Sequence, residues 1–406
     1  VELMADLVFI PIADKIKDAS YSCYDGACGT GGMLTVAQDR LLTLAKRRGK
    51  EVAIHLFGQE VQPETYAICT ADMLLKGDGE EAEHIMYGST LSDDQHASRQ
   101  FDFMLSNPPY GKSWKVDAEK MGGKKEILDT RFNTYLEGGK LMPMIPRTSD
   151  GQLLFLLNNV SKMKKDTELG SRIVEVHNGS SIFTGDAGSG ESNARRYLIE
   201  NDLVEAIIAL PDKMFYNTPL NTYIWVISNK KEDRRKGKIQ LIDAMAMKKP
   251  LRKKLGDKSN ELTSEFRKQI LDVFLSFEES DISHIYKNEE FGFWEVTVLR
   301  PKYQEDGSIE IDKKGNKVSD KDKTYTEIVP FTYNGGIEEY FNREILPFCD
   351  DAWIDDKKTK AGYEVSFTKC FYRPLRLRSF EEVMSELHSL EQETDGMFNE
   401  ITGGIR

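Results

Sequence analysis

The stretch "ASYSCYDGACGTGGMLTVAQDRLLTLAKRRG", Ala19 to Gly49, sets the fold class. "ASYSCYD" reads as a short strand that opens into glycines at "YDGACGTGG", Tyr24 to Gly32. The run after it carries alanine and leucine at helical spacing and has Gly49 as its stop. Gly29, Gly31 and Gly32 permit a tight turn and a close approach of backbone to a ligand, and the helix beyond offers unpaired N–H groups. Such a turn can cradle a nucleotide-like molecule or simply connect two elements. It matches neither the full GxGxxG nor the GxxxxGK[ST] pattern. Asp25, at the strand end, suits a charged ammonium or a backbone amide.

Outward from this unit the pattern repeats. "VAIHLFGQE" is a second strand, "ETYAICTADMLLKG" a second helix and "FDFMLS" a later strand, while Leu3 to Ile16 has helical apolar spacing. "GQLLFLLNNVSKM" and "ESNARRYLIENDL" then read as helices, and "SRIVEVHNG", "VEAIIALP" and "NTYIWVISNK" as strands. This alternation predicts an α/β domain over residues 1–230, with a mostly parallel sheet flanked by helices. Residues 231–378 read as a basic and irregular α+β extension, in which "QEDGSIEIDKKGNKVSDKDKTYTEI" is a hairpin or loop. Residues 379–406 read as a helical partner-contact segment, because Phe380, Val383, Leu387, Leu390 and Phe398 form an apolar stripe that needs a partner.

Composition narrows the function classes. The five cysteines, Cys23, Cys28, Cys69, Cys349 and Cys370, are odd in number and without a CxxC pair, which favours reduced thiols and a cytoplasmic setting. Apolar runs such as "VEAIIAL" fall far short of the roughly 20 residues of a membrane span. The chain opens "VELMADLVFIPIADK", without methionine and without a basic segment before an apolar core, so no signal peptide is read and residues are expected to precede it. The formal charge of −12 argues against coating nucleic acid by bulk attraction. Lys230 to Lys258 nevertheless holds twelve Lys or Arg against four Asp or Glu, and reads either as a solvated loop and helix or as a surface for nucleic acid or a partner.

Two further strand ends carry chemistry. Glu60 closes "LFGQE", where a carboxylate can accept both hydroxyl protons of a ribose; the plainer reading is a solvent-facing turn residue. "SNPPYGKSW", Ser106 to Trp114, follows the strand "FDFMLS". Its prolines fix φ and remove donors, leaving a stiff turn that offers acceptors. The side-chain oxygen of Asn107 and the carbonyl of Pro108 can accept both hydrogens of a planar aromatic amine, and Tyr110 can stack on the attached ring. An S-adenosylmethionine sulfonium beside the glycine loop would supply the electrophile, with catalysis by orientation and desolvation.

The segments "DGACGTGG", "GQE", "SNPPYG", "NGSSIFTGDAGSGESNARRYLIENDLVEAIIALP" and "FYNTPLNTYIWV" together resemble the modification subunit of type I restriction-modification systems, an adenine-N6 DNA methyltransferase. The likeness is dense from Asp25 to Trp225 and resumes in "GYEVSFTKCFYRPLRLRSFEE". It implies an S-adenosylmethionine-dependent methyltransferase fold with an N-terminal helical domain. It also implies duplex DNA as substrate, two modification subunits per DNA-specificity subunit, and a motor-nuclease subunit for restriction. By this resemblance Asn107, Pro108 and Tyr110 are catalytic, and Asp25, Ala27, Gly29, Gly31, Glu60 and Ser89 hold the cofactor.

Two residues depart from the family pattern: Gly26 stands in place of its usual proline, and Ser89, in "IMYGSTLSDD", in place of an aspartate directed at the cofactor adenine. The second change removes an anionic acceptor. NPPY is shared with enzymes that methylate a protein glutamine, so that activity is the alternative, together with an assembly subunit of weakened competence. Phe183 and Phe215 read as core aromatics before base-contacting ones. "GDAGSGE", Gly185 to Glu191, reads as a mobile loop, and Arg195 and Arg196 as phosphate contacts or a solvated helical face. The six histidines are dispersed without HExxH, so no metal site is expected.

Overall fold

Nine strands make the central sheet of the computed structural model, which describes residues 1–76, 79–216, 218–372 and 379–402. They are β1 (Ala19–Asp25), β2 (Val52–Glu60), β3 (Ile85–Tyr87), β4 (Phe103–Ser106) and β5 (Arg172–Asn178). β6 (Val204–Ala209), β7 (Thr222–Ser228), β8 (Lys238–Asp243) and β9 (Ser283–Lys287) follow. Their order is β9-β8-β6-β7-β5-β4-β1-β2-β3. β1 to β5 are mutually parallel, β7 runs antiparallel to both β5 and β6, β8 is parallel to β6, and β9 closes the edge antiparallel.

The sequence dictates this layering. β5, β6 and β7 are buried along their whole length; β6 and β7 accordingly read as mainly apolar runs, whereas β5 carries Arg172, Glu175 and His177 into the interior. In the helix Gly32–Arg47 the buried residues Leu34, Ala37, Leu41 and Leu44 recur at helical spacing and join Leu3, Leu7 and Phe9 of the helix Glu2–Phe9 in one core with Cys23, Leu56, Phe103 and Val174 of the strands. Charge inside the sheet is paired: Arg172 of β5 meets Glu205 of β6 at 2.7 Å, and Glu175 meets His177 at 2.8 Å.

The sheet continues past the boundary expected near residue 230, because β8 pairs with β6 and β9 with β8. The basic run therefore opens with a turn and a short 3-10 helix at Asp233–Arg235, continues as the core strand β8, and ends in a hairpin of Lys249–Leu255 and Lys258–Glu261. The extension is less irregular than its composition suggests: Gly292–Leu299 pairs antiparallel with Tyr325–Pro330, Trp353–Ile354 and Lys360–Tyr363. The polar insertion is a ribbon, with bridges Tyr303 to Ile309 and Ile311 to Lys317. Val1–Ser366 form one unit and Phe367–Arg406 another. The second holds the helix Phe380–Thr402, on which Phe380, Leu387 and Leu390 are exposed. Residues 373–378 of the resemblance segment, and 403–406, lie outside the described residues.

Three expectations from the sequence are corrected. Arg195 is fully buried, not on a solvated or phosphate-facing surface, since its guanidinium donates to Tyr363 O at 2.6 Å and Ser181 O at 3.1 Å, tying the helix Gly190–Glu200 to the extension sheet. Phe183 is exposed rather than core, at the end of a single helical turn. "GDAGSGE" is pinned: Ser189 caps the helix by accepting from Ser192 N, Asn193 Nδ2 donates to Pro143 O at 2.9 Å, and a Cβ at Gly190 would overlap the Ile145 backbone.

Candidate active site

In a sheet of this order the chain leaves β1 toward β2 on one side and reaches β4 on the other, so a crevice forms where the carboxyl ends of β1 and β4 lie side by side. β1 ends at Asp25 and runs into the glycine turn, and β4 ends at Ser106 and runs into Asn107-Pro108-Pro109-Tyr110. Ser106 Oγ donates to Asp25 Oδ1 at 2.7 Å, and Ala27 N donates to the same oxygen at 3.0 Å. Asp25 thus fastens one turn to the other. Its carboxylate is 2% exposed, and burial pushes its pKa up to about 7 against the lowering effect of those two hydrogen bonds.

A cavity of about 570 Å³ occupies the crevice, and Ala27, Glu60, Ser89, Asn107, Pro108 and Tyr110 all line it. Asp25, Gly29 and Gly31 do not; they shape its wall from behind. Gly29 N donates to Glu60 Oε2 at 3.0 Å and Gln62 N to Glu60 Oε1 at 2.7 Å, so Glu60 braces the glycine turn with both oxygens while keeping lone pairs for a ligand. Gly31, at φ +82°, lies so close to the helix Pro63–Lys76 that a Cβ would stand 2.7 Å from Met73 Cε and 2.9 Å from Cys69 Sγ. At Gly26 a Cβ would meet Tyr24 Oη at 2.9 Å, a local reason for glycine there.

On the other side of the cavity Asn107 is exposed, and among the described residues no hydrogen bond occupies its side chain. The Tyr110 phenol is pushed up to about 12 by burial, so the ring stays neutral. The turn is clamped from below. Gly111 N donates to Asp150 Oδ1 at 3.2 Å, and Asp150 Oδ2 accepts from Gln152 Nε2 at 2.7 Å. Gln152 Nε2 also donates to Asn178 Oδ1 at 2.7 Å, and Trp114 Nε1 to Arg147 O at 3.0 Å. Phe155, Asn178, Thr218 and Leu220 complete that wall.

A carboxylate stands beside Ser89 in the cavity wall. Asp117, on the short helix Lys115–Lys120, lines the cavity, and its Oδ1 accepts from Ser89 Oγ and from Ser92 Oγ, each at 2.6 Å. Sequence reading missed Asp117 because "KSWKVDAEK" carries no motif, and missed the Asp150-Gln152 clamp although "SDGQ" before an apolar run is a helix-start signal. Among the described residues no cluster of His, Cys, Asp or Glu is arranged to hold a metal ion, all five cysteines are free thiols, and no helix is long and apolar enough to cross a membrane.

The sheet order, in which only β7 and the edge strand β9 run against the others, and the paired strand-end turns define a fold of the S-adenosylmethionine-dependent methyltransferase class. Within that class the chain belongs to the N-6 DNA Methylase family, whose model matches residues 1–297. It is 29% identical over 290 residues to the type I restriction enzyme MjaIX methylase subunit of Methanocaldococcus jannaschii, covering 71% of this chain and 47% of that protein. It is 28% identical to the MpnII methylase subunit of Mycoplasma pneumoniae, covering 82% of this chain and 55% of that protein. The chain spans about half the length of the curated relatives it matches. Among solved structures, the type I restriction-modification system methyltransferase subunit from Streptococcus thermophilus superposes with a TM-score of 0.55 at 24% identity, covering 71% of this chain and 54% of that one.

Proposed function

We propose that this chain transfers a methyl group from S-adenosylmethionine to adenine N6 in duplex DNA, as the modification subunit of a type I restriction-modification complex with a DNA-specificity subunit, a second modification subunit and a motor-nuclease subunit. The observation that carries the reading is the single cavity shared by the cofactor-side residues Ala27, Glu60, Ser89 and Asp117 and the amine-side residues Asn107, Pro108 and Tyr110.

The donor set fits the cofactor: Glu60 offers acceptors for ribose hydroxyls, Asp117 an anionic acceptor for an amino group, and the glycine turn a wall without side chains. Bound S-adenosylmethionine supplies an electrophilic methyl on a sulfonium. Asn107 Oδ1 and the Pro108 carbonyl accept the two amino hydrogens of the target base and draw its nitrogen lone pair out of conjugation. Tyr110 stacks on the ring, and its neutral phenol costs no charge burial. No strong base is needed at Asn107, because the nitrogen becomes acidic only after it gains the methyl.

Adenine in a duplex must leave the stack to reach Asn107, at a cost of a few kcal/mol that stacking, hydrogen bonds and a partner gripping the duplex offset. Site choice belongs to the specificity subunit in this reading, and the exposed stripe Phe380, Leu387 and Leu390 is suited to a helical partner. The test is methylation by the chain reconstituted with the partner encoded beside it, with products resolved by mass spectrometry. N6-methyladenine at one defined site is expected. Methylglutamine in protein without methyladenine in DNA overturns the reading, and no cofactor binding by the assembled complex favours a scaffold.

A further inference from the structure

Lys230 to Lys258 carries twelve cations against four anions, and the fold divides them into two sets. Those before the hairpin are mostly engaged within the protein. Lys231 Nζ sits 2.6 Å from Asp202, Lys236 2.6 Å from Asp233, Lys248 2.6 Å from Asp212, and Arg234 Nε 2.8 Å from Glu232. Arg235 is buried over the Phe274 ring. On the hairpin, by contrast, Lys249, Arg252, Lys253 and Lys254 are exposed, and none of the four forms an ion pair among the described residues.

A two-stranded ribbon on its own is marginal in water. This one is fastened to a single neighbouring loop. Asp257 N donates to Tyr216 O at 3.0 Å, Ser259 N and Asn260 N both donate to Lys213 O at 3.1 and 3.2 Å, and Asn260 Nδ2 donates to Asp212 O at 3.0 Å. The Lys258 ammonium lies 5.1 Å from the centre of the Tyr216 ring. Gly256, at φ +61°, turns so tightly against Tyr216 O that any side chain there would collide with it. The loop so held leads to Thr218 and Leu220, which line the same cavity as Asn107. The free cations are therefore anchored to the rim of the site.

We propose that the Lys249–Glu261 hairpin is a phosphate-contacting ribbon that holds duplex DNA beside this cavity; the inference rests on the DNA-methyltransferase reading above. A chain with a charge of −12 repels a polyanion unless cations are concentrated where it must dock. Arg252, Lys253 and Lys254 follow one another where the hairpin's register shifts between Pro250 and Leu255, so they form a compact exposed cluster of positive charge. The ribbon offers cations and no base-reading motif, so it positions DNA without selecting sequence.

The experiment is fluorescence anisotropy of a labelled duplex of about 20 base pairs with the whole chain, titrated over a range of salt. The variants are Arg252→Ala/Lys253→Ala/Lys254→Ala on the hairpin and Lys313→Ala/Lys314→Ala/Lys321→Ala, which removes the same charge from exposed positions elsewhere. The salt slope of log K should fall by about 2 to 3 for the hairpin variant, near 0.9 per lost phosphate contact, and by less than about 1 for the control. Equal slopes in the two variants, or a parental slope in the hairpin variant, overturn the ribbon while leaving the methyltransferase reading in place. Hairpin-dependent binding without methyl transfer by the assembled complex upholds the ribbon and overturns that reading. A parent chain without salt-dependent duplex binding overturns the ribbon.

Discussion

Replacing Asp117 by asparagine isolates the carboxylate that the structure brings to Ser89. Asp117 Oδ1 accepts two hydroxyl hydrogen bonds at 2.6 Å, short contacts of the kind an anionic acceptor makes. Both reach the same oxygen, which leaves Oδ2 for a ligand in the cavity. Asparagine keeps the size and one acceptor but loses the charge. A hydrogen bond to a charged group contributes about 1.5–3 kcal/mol. Asp117 is half-exposed, which places the loss near the lower end, about 1.5 kcal/mol or roughly tenfold in Kd. Calorimetric titration with S-adenosylmethionine measures it directly, with the melting temperature confirming that the fold is kept. Ser92→Ala serves as the control: it removes one of the two hydroxyls, leaves Ser89 in place, and should weaken binding by less than about threefold. Parental affinity in a folded Asp117→Asn chain refutes the assignment, as does an equal loss in Ser92→Ala.

Two glycines and one buried acid give further tests. Gly29→Ala and Gly31→Ala both force an L-residue to positive φ, +55° and +82°, at about 1–2 kcal/mol each. Only the second drives a Cβ into Met73 and Cys69, so urea denaturation should show Gly31→Ala less stable by a further 1–3 kcal/mol or so; equal costs contradict the packing described. Asp25 has a folded pKa of about 7, above its ordinary 3.8, so its contribution to stability is full below about pH 4 and is lost as pH rises through 7. The melting temperature of Asp25→Asn should therefore gain on the parent between about pH 4 and 7 and level off above that; a gap independent of pH shows that Asp25 does not titrate in this range.

The strand-end turns are legible in the sequence because they are local. A strand, a glycine turn and a helix are contiguous from Ala19 to Gly49, and NPPY follows its strand directly, so periodicity and turn residues placed both. What escaped depends on distant pairing. Nothing near Arg195 indicates that Tyr363 O, far along the chain, will accept its guanidinium and bury it. Lys238 to Asp243 is flanked by charge and was read with its flanks, although its own "IQLI" is a core strand once β6 and β9 lie on either side. Asp117 belongs to the site only because the chain folds the helix Lys115–Lys120 back over Ser89. The separation of Asp25, Gly29 and Gly31 from the cavity surface likewise depends on the folded turn: the sequence marks a glycine turn without saying which of its atoms face the cavity.

Asn107 is the group proposed to orient the acceptor amine. A single-turnover methyl-transfer assay with radiolabelled S-adenosylmethionine and target duplex, run on the assembled complex alongside cofactor titration, tests it for parent and Asn107→Ala. Loss of a preorganised hydrogen-bonding group of this kind is expected to slow transfer by about 10²–10³-fold, while cofactor affinity stays within about threefold of the parent, since Asn107 lines the cavity from the end of β4 and no hydrogen bond joins its side chain to the glycine turn among the described residues. Parental transfer by Asn107→Ala contradicts the account, as does a loss of transfer fully explained by lost cofactor binding.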